Sequence, residues 1–271
     1  TTGKEIDLLN IEIPTEMPLR GTPKYDKLLE QIHQLEGILA KAEAEGKSVY
    51  FHCQWGQDRT GLMMALHQVA TNKLPSADVI DKWKSLKTRV DERSFRNLFS
   101  EETFNQLARD YREKYGINAW SRSTDPLGQK ITNFAETPFV LDGKQYASIE
   151  GFYSALLYPE EQRAGIASLH GFDAKKVGKK SKATTTKYDG KEIALGSDEH
   201  HQLLKRALRA KFEQNPELLQ EFIDSIPRPI VHDTGAPADH ETFYPDALFA
   251  RHLTELRAEF ARKAAEAKEN K

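Results

Sequence analysis

Apolar positions along the chain fall into blocks of helical spacing separated by turn residues. Leu28, Leu29, Ile32, Leu35, Ile38 and Leu39 recur at intervals that line one face of a helix. Thr22 supplies an N-cap hydroxyl, Pro23 a first-turn proline and Gly46 a stop, so the pattern predicts a helix over 23–45. Ser48 to Cys53 is a β-branched and aromatic run between Gly46 and Gly56, which suits a buried strand. Helical spacing resumes from Leu62 to Val69 and continues over 76–87 and 100–115, the last opening on Glu101 and Glu102 and closing at Gly116.

Turn formers then cluster: Asn118, Ser121, Ser123, Asp125, Pro126 and Gly128 mark a boundary within 116–129. Phe139-Val140-Leu141, Asp142-Gly143 and Tyr146 predict a hairpin, because Asp-Gly favours the positive φ angles of a type I′ turn. Residues 150–157 read as helix. The lysine-rich stretch 173–187 reads as a loop, and its charge run suits a solvated segment. Helices are expected over 198–214, over 217–226 behind Asn215 as N-cap and Pro216, and over 246–271 with fraying from Lys268. No internal repeat is visible.

Length and composition narrow the class. With 271 residues the chain has room for two domains. Its 38% hydrophobic residues are too regularly spaced for disorder, despite 30% charged residues. A net charge of −2 advertises neither nucleic acid nor an anionic membrane as partner, so any phosphate site must be local. No apolar run approaches the roughly 18 residues of a membrane span, and no signal peptide opens the chain, so a soluble, cytoplasmic protein is expected. The chain starts Thr1-Thr2-Gly3 without Met, as a piece of something longer would. The single cysteine excludes an intramolecular disulfide and a multi-cysteine zinc site; no metal and no cofactor is called for.

That cysteine, Cys53, ends the expected strand and opens the run His52-Cys53-Gln54-Trp55-Gly56-Gln57-Asp58-Arg59-Thr60-Gly61 before a helix. A short loop closing on a helix N-terminus can turn backbone N–H groups inward around a phosphate. The Gln54–Arg59 backbone would form that cradle, with Gly56 easing the turn. The same donors favour thiolate over thiol and make Cys53 a nucleophile. Arg59 can grip two phosphoryl oxygens at once, and Thr60 can donate to the departing sulfur. As a buried core thiol Cys53 would need none of these neighbours.

The run resembles the signature of the protein tyrosine and dual-specificity phosphatase superfamily, His-Cys, five residues, then Arg-Ser/Thr. The resemblance implies hydrolysis through a phosphocysteine intermediate and a general acid upstream of the cysteine. Ile11 to Glu16, ahead of the Thr22-Pro23 helix, is similar to the acid-loop segment of inositol-phosphatase-like members, with Glu16 where the family usually has Asp. Asp7, Glu12 and Asp58 are rivals for that role, and Glu16 also reads as a plain surface carboxylate. Asp58 before Arg59 resembles bacterial members of broad or phosphoinositide specificity. Family domains place several strands before the acid loop, whereas about a dozen residues precede it here. The phosphatase half is therefore expected to be either shortened at its front or a remnant.

From Trp120 onward a second resemblance runs through Trp120-Ser121-Arg122-Ser123, Asn133-Phe134, Pro138-Phe139, Leu141-Asp142-Gly143, Tyr146 to Tyr153, Ala174-Lys175, and Leu208 to Phe212 with Asn215-Pro216. It is to the YbiA-like or NADAR domains. It implies a mainly helical α+β fold and an N-glycosidase acting on ribosyl phosphates or ADP-ribosylated guanine, with Glu150 as the carboxylate near C1′. Read alone, Glu150 is an acid at a helix N-terminus. The family's Trp ahead of the Lys-Phe helix and its later Asp-x-x-Trp-Gly are missing; Asp233 or Asp239 stand as substitutes. Asn133, Phe134, Lys175 and Lys176 are candidate ligand contacts, while His200 and His201 read either as phosphate contacts or as incidental exposed histidines.

The fold class expected is thus an α/β phosphatase-like module over 1–116, shortened at its N-terminus, joined to a mainly helical α+β NADAR-like module over 117–260, with a tail over 261–271. Its expected partners are a phosphorylated small molecule or phosphoprotein and an ADP-ribose or ADP-ribosylated guanine ligand, with no membrane. The function expected is a phosphatase joined to an N-glycosidase. The alternatives are a glycosidase beside an idle phosphatase remnant, or a phosphate and ADP-ribose binding module without turnover.

Overall fold

A computed structural model describes residues 18–50, 52, 58–70, 101–235 and 242–269. The chain divides into two compact units, Thr1–Tyr115 and Gly116–Lys271.

Among its described residues the first unit contains helices α1 (Pro23–Ala44), α2 (Asp58–Ala70) and α3 (Glu101–Tyr115). The Thr22 hydroxyl accepts the Tyr25 N–H, as the N-cap pattern predicts. The apolar stripe of α1, Leu28, Leu29, Ile32 and Leu35, packs with Met63 and Leu66 of α2 and Phe104, Leu107 and Tyr111 of α3. Each such side chain stabilises the unit by roughly 1.5–3 kcal/mol through burial. Arg20 donates two hydrogen bonds of 2.8 Å to Asp110, and the Tyr25 hydroxyl donates a third of 2.7 Å, which ties the entry to α1 onto α3. An open concavity of about 600 Å³ lies over this network, lined by Arg20, Tyr25, Asp110 and Lys114. None of the candidate catalytic or binding residues read from the sequence is among those that line it.

The buried strand expected at 48–53 is not found over its described part. Residues 47–50 join no ladder among the described residues, and Tyr50 is 89% exposed. β-branched residues favour a pleated surface only where a partner strand supplies one. The expected helix over 76–87 lies outside the described residues.

The second unit buries a larger core. Its strand β1 (Ile117–Asn118) pairs in parallel with β6 (Ile230–Val231), so the turn-forming stretch 116–129 is built into this unit. Within it Asp125 accepts the Leu127 and Gly128 N–H groups and caps α4 (Pro126–Ile131), while also pairing with Arg228. The expected hairpin is present as β2 (Phe139–Leu141) and β3 (Lys144–Tyr146), with Asp142 at φ 49° and Gly143 at φ 75°. Helix α5 (Ile149–Leu156) follows, then a 3₁₀ turn at Glu160–Gln162, α6 (Arg163–Ala167) and α7 (Gly171–Gly178). A second hairpin joins β4 (Thr185–Tyr188) to β5 (Lys191–Ala194). Helices α8 (Asp198–Glu213), α9 (Pro216–Asp224) and α10 (Asp246–Glu269) complete the unit. Phe139, Phe152, Leu204, Leu208, Phe212, Phe222, Ile230 and Phe249 share one core, in which Phe212 and Phe222 stack with centroids 4.1 Å apart. No described helix is long and apolar enough to cross a membrane.

Three expectations are corrected. Much of the lysine-rich loop expected over 173–187 is helix and strand, α7 and β4. Ala174 and Gly178 lie one helical turn apart, and the Ser154 hydroxyl donates to the Ala174 carbonyl at 2.9 Å. A Cβ at Gly178 would stand 2.6 Å from that hydroxyl oxygen, so small residues let α7 lie close against α5 while its lysines face water. Asn215 does precede α9, but its side chain gives that helix no capping hydrogen bond. Its amide donates instead to the Pro138 and Lys211 carbonyls. His200 is not an exposed residue but is wholly buried.

Candidate active site

Two segments converge to build the site in the second unit. Ser148 N-caps α5: its hydroxyl accepts the Gly151 N–H at 2.8 Å and donates to the Leu169 carbonyl at 3.0 Å. Glu150 therefore sits in the first turn of a helix whose start is pinned. Its own N–H donates to the Asn133 carbonyl at 2.9 Å, and the N–H of Gly171, at the start of α7, donates to the adjacent Phe134 carbonyl at 3.1 Å. The N-termini of α5 and α7 are thus held by consecutive carbonyls of one loop. Lys211 supports that loop from beneath: its wholly buried Nζ donates to the Lys130 and Thr132 carbonyls, both at 2.9 Å, and burial pulls its pKa down to about 7.

Gly151 is required by close approach. A Cβ there would lie 2.4 Å from the Leu169 carbonyl oxygen. Gly151→Ala is expected to lower stability by about 1–3 kcal/mol, since backbone rather than a flexible side chain must move. Thermal unfolding checks this, and an unchanged melting temperature would contradict the packing described.

Glu150 is only 9% exposed, and its carboxylate makes no hydrogen bond among the described residues. Burial raises its pKa to about 7, partly opposed by the positive charge of Lys175. Tyr153, one turn on, is pushed up to about 12 by burial and then by the Glu150 charge, while a hydrogen bond with Thr242 acts the other way. A carboxyl that titrates near neutrality can take a proton from water at the pH where the protein works.

Around it lie aromatic rings carrying cations. Lys175 Nζ stands 5.3 Å from the Phe134 ring centroid, and Phe172 meets Phe134 edge-on at 5.2 Å. The Arg122 guanidinium lies 5.8 Å from the Phe172 centroid. In this unit two buried side-chain polar atoms have no hydrogen-bond partner among the described residues, Asn133 Oδ1 and His200 Nε2. His200 Nδ1 accepts the Gly196 N–H at 3.1 Å, and burial, then His201, lowers its pKa to about 4. The ring is therefore neutral, with its proton on the unpaired Nε2. His232 accompanies the site: burial lowers its pKa, and its Nδ1 lies 2.7 Å from the Ala119 carbonyl.

The structure brings Glu150, Asn133, Phe134 and Lys175 to one loop and the helices it holds. Lys176 is exposed, with no described contact to the group. The exposed Asp233 turns its carboxylate to the Gly235 N–H at 2.8 Å and exchanges backbone hydrogen bonds with the Asn118 amide, so it serves a local turn. His201 Nε2 faces the Phe243 carbonyl at 2.9 Å. Arg122, Tyr153, Phe172, Lys211 and His232 join the site without having been singled out for a role. Phe172 carried a usable signal, a large aromatic residue set between Gly171 and Asp173. No group of metal-ligating side chains occurs among the described residues.

In the first unit, Glu16, Asp7, Glu12, Cys53, Gln54, Trp55, Gly56 and Gln57 lie outside the described residues, as does Asp239 in the second. Asp58, Arg59 and Thr60 form the first turn of α2.

A sequence model of the tyrosine phosphatase family matches residues 11–153, and one of the family "Bacteriophage protein GP30.3" matches residues 127–258. The first match spans Glu12, Glu16 and the whole Cys53–Thr60 run. Among solved structures, the NMR structure of the E. coli protein YbiA is 24% identical over 58% of this chain and 88% of that one, with a TM-score of 0.42. No curated protein matches the chain.

Proposed function

The chain belongs to the tyrosine phosphatase family, and from that premise we propose a two-activity hydrolase: a cysteine-dependent phosphatase followed by an N-glycosidase. In the first activity Cys53 attacks phosphorus as a thiolate and the ester oxygen leaves with a proton from a carboxylic acid. Glu16 is assigned that role, with Asp7, Glu12 and Asp58 as rivals. Water then cleaves the phosphocysteine, Arg59 holding the phosphoryl oxygens and Thr60 donating to the departing sulfur. The family match supports this reading because it spans every residue named except Asp7.

The second activity rests on one observation, the buried Glu150 carboxyl that titrates near pH 7 without a hydrogen-bond partner among the described residues. In N-glycoside hydrolysis the C1′–N bond breaks as positive charge develops on the ribose, and a water oxygen bonds to C1′. Ionised Glu150 steadies that charge and takes the proton of the attacking water, while the departing nitrogen is protonated from solvent. The substrates proposed are ribosyl phosphates and ADP-ribosylated guanine, in keeping with the NADAR-like resemblance of the sequence.

The pH dependence follows from the active form being the ionised one. Because burial raises the Glu150 pKa to about 7, base release should be slow at pH 5.5, rise through pH 7 and level off above pH 8. Chromatographic measurement of released base across that range checks it. A rate that falls with rising pH would show that Glu150 does not act as the base.

A further inference from the structure

We propose that the buried pair of Glu36 and His67 holds α2 in one register against α1 and so places Arg59 for its grip on phosphate, which makes both of them positioning residues of the first unit. The inference rests on the phosphatase reading for the bond that is cut, but not for the binding of phosphate.

Glu36 stands where the helical spacing calls for an apolar side chain. It follows Leu29 by seven positions and Ile32 by four on the core face of α1, and it is only 4% exposed. His67 of α2 answers it: the ring donates from Nδ1 to the Glu36 Oε2 at 2.8 Å, since an ionised carboxylate can only accept. Among the described residues Glu36 has no other hydrogen-bond partner. Such a buried pair stabilises a fold no better than well-packed apolar side chains of similar volume, and its best-attested use is to fix register. The apolar contacts beside it leave register open. From α2 they come from Met63, Ala65 and Leu66, and a pliable methionine and a small alanine tolerate a slide that a directional bond between buried groups does not.

α2 carries the pair near one end and the phosphate-binding residues at the other. Asp58, Arg59 and Thr60 form its first turn, and His67 lies in its last. Arg59 and His67 are eight residues apart, about 12 Å along the axis of one continuous helix. A slide or rotation of α2 on α1 is therefore carried to the Arg59 backbone. A misplacement of about 1 Å in a group that holds substrate can cost up to about 10²-fold in rate.

The test reads phosphate binding at Cys53, the one thiol of the chain, as the concentration of inorganic phosphate that halves its alkylation by iodoacetate. Release of phosphate from phenyl phosphate is followed in the same full-length chains. Glu36→Leu together with His67→Leu replaces the pair by apolar volume. That chain is expected to keep or raise its melting temperature, while phosphate protection weakens about 10-fold and kcat/KM falls about 10–30-fold. Glu36→Gln, which can still accept from the ring, should stay within about 3-fold of wild type in both. In an Arg59→Ala background the double substitution should add less than about 2-fold, because the group it positions is gone. If the doubly substituted chain does not fold, His67→Asn is compared with His67→Leu, and the Asn amide, able to donate to Glu36, should recover most of the protection that Leu loses. Undiminished protection after the pair is removed, an equal loss with and without Arg59, or no recovery by His67→Asn would overturn the proposal. Weakened protection in chains none of which releases phosphate supports the pair and counts against the phosphatase reading, and release by the wild-type chain with undiminished protection in the substituted one does the reverse. Wild-type alkylation that phosphate leaves unchanged overturns both.

Discussion

Glu150→Gln is expected to cut N-glycoside cleavage by about 10²–10⁴-fold and to raise the melting temperature of the second unit at pH 8. The first effect follows from losing a positioned base and a negative charge beside C1′. The second follows from the cost of holding that charge in a buried site. The folded carboxyl binds its proton more tightly than the unfolded one, with a pKa raised from 4.5 to about 7. Below pH 4.5 both states are protonated and no penalty arises. As pH rises from 4.5 to 7 the unfolded chain gives up this proton more readily, and the folded state loses stability. Above pH 7 the penalty is complete, up to about 3 kcal/mol before allowing for the compensating charge of Lys175. Gln removes it, and a gain of about 1–3 kcal/mol corresponds to roughly 3–10 °C in a unit of this size. The melting-temperature difference between variant and wild type should therefore be small at pH 4.5 and positive at pH 8. A difference that ignores pH would show that Glu150 is not held as a strained charge, and a variant that keeps its activity would remove Glu150 from the chemistry.

Local signals in the sequence carried over where local chemistry decides the outcome. Thr22-Pro23 starts α1 and Asp142-Gly143 turns the first hairpin because capping and positive φ are properties of a few adjacent residues. The same Asp-Gly signal at Asp189-Gly190, just past the stretch expected to be loop, turns a second hairpin whose first strand begins within that stretch. Charge content said little about backbone there. The informative residues were Ala174 and Gly178, whose small size matters only against Ser154 of another helix. The run from Ser48 shows the reverse error, since its strand-like composition has no partner among the described residues.

The site divides in the same way. Glu150 was legible as an acid in a helix's first turn within a family-like run. Its burial was not, because that depends on the loop at Asn133 and on the supporting Lys211, both distant in sequence. Arg122 and Phe172 are 50 positions apart and meet only in the fold. A charge beside an aromatic ring leaves no trace in periodicity, so such a pair cannot be read from spacing.

Cys53→Ser is expected to abolish phosphate release from aryl phosphates, by at least about 10³-fold, while leaving binding of the phosphate ester in place. A serine hydroxyl is scarcely ionised near neutral pH, whereas a thiol in the phosphate site proposed would be readily ionised there. In the proposed phosphatase site binding rests instead on backbone amides and on Arg59, so Arg59→Ala should lose both affinity and rate, and Arg59→Lys should recover only part, having no second donor for a bidentate grip. The chain offers an unusually direct check, because it has one cysteine in 271 residues. A single iodoacetate adduct seen by mass spectrometry can come from no thiol but Cys53. At pH 6.5 an ordinary thiol, with a pKa of about 8.5, is about 1% ionised and is alkylated slowly. Fast alkylation at that pH, slowed by inorganic phosphate, is the expected result. Slow alkylation without protection, together with undiminished phosphate release by the Cys53→Ser chain, would separate this cysteine from any phosphate site.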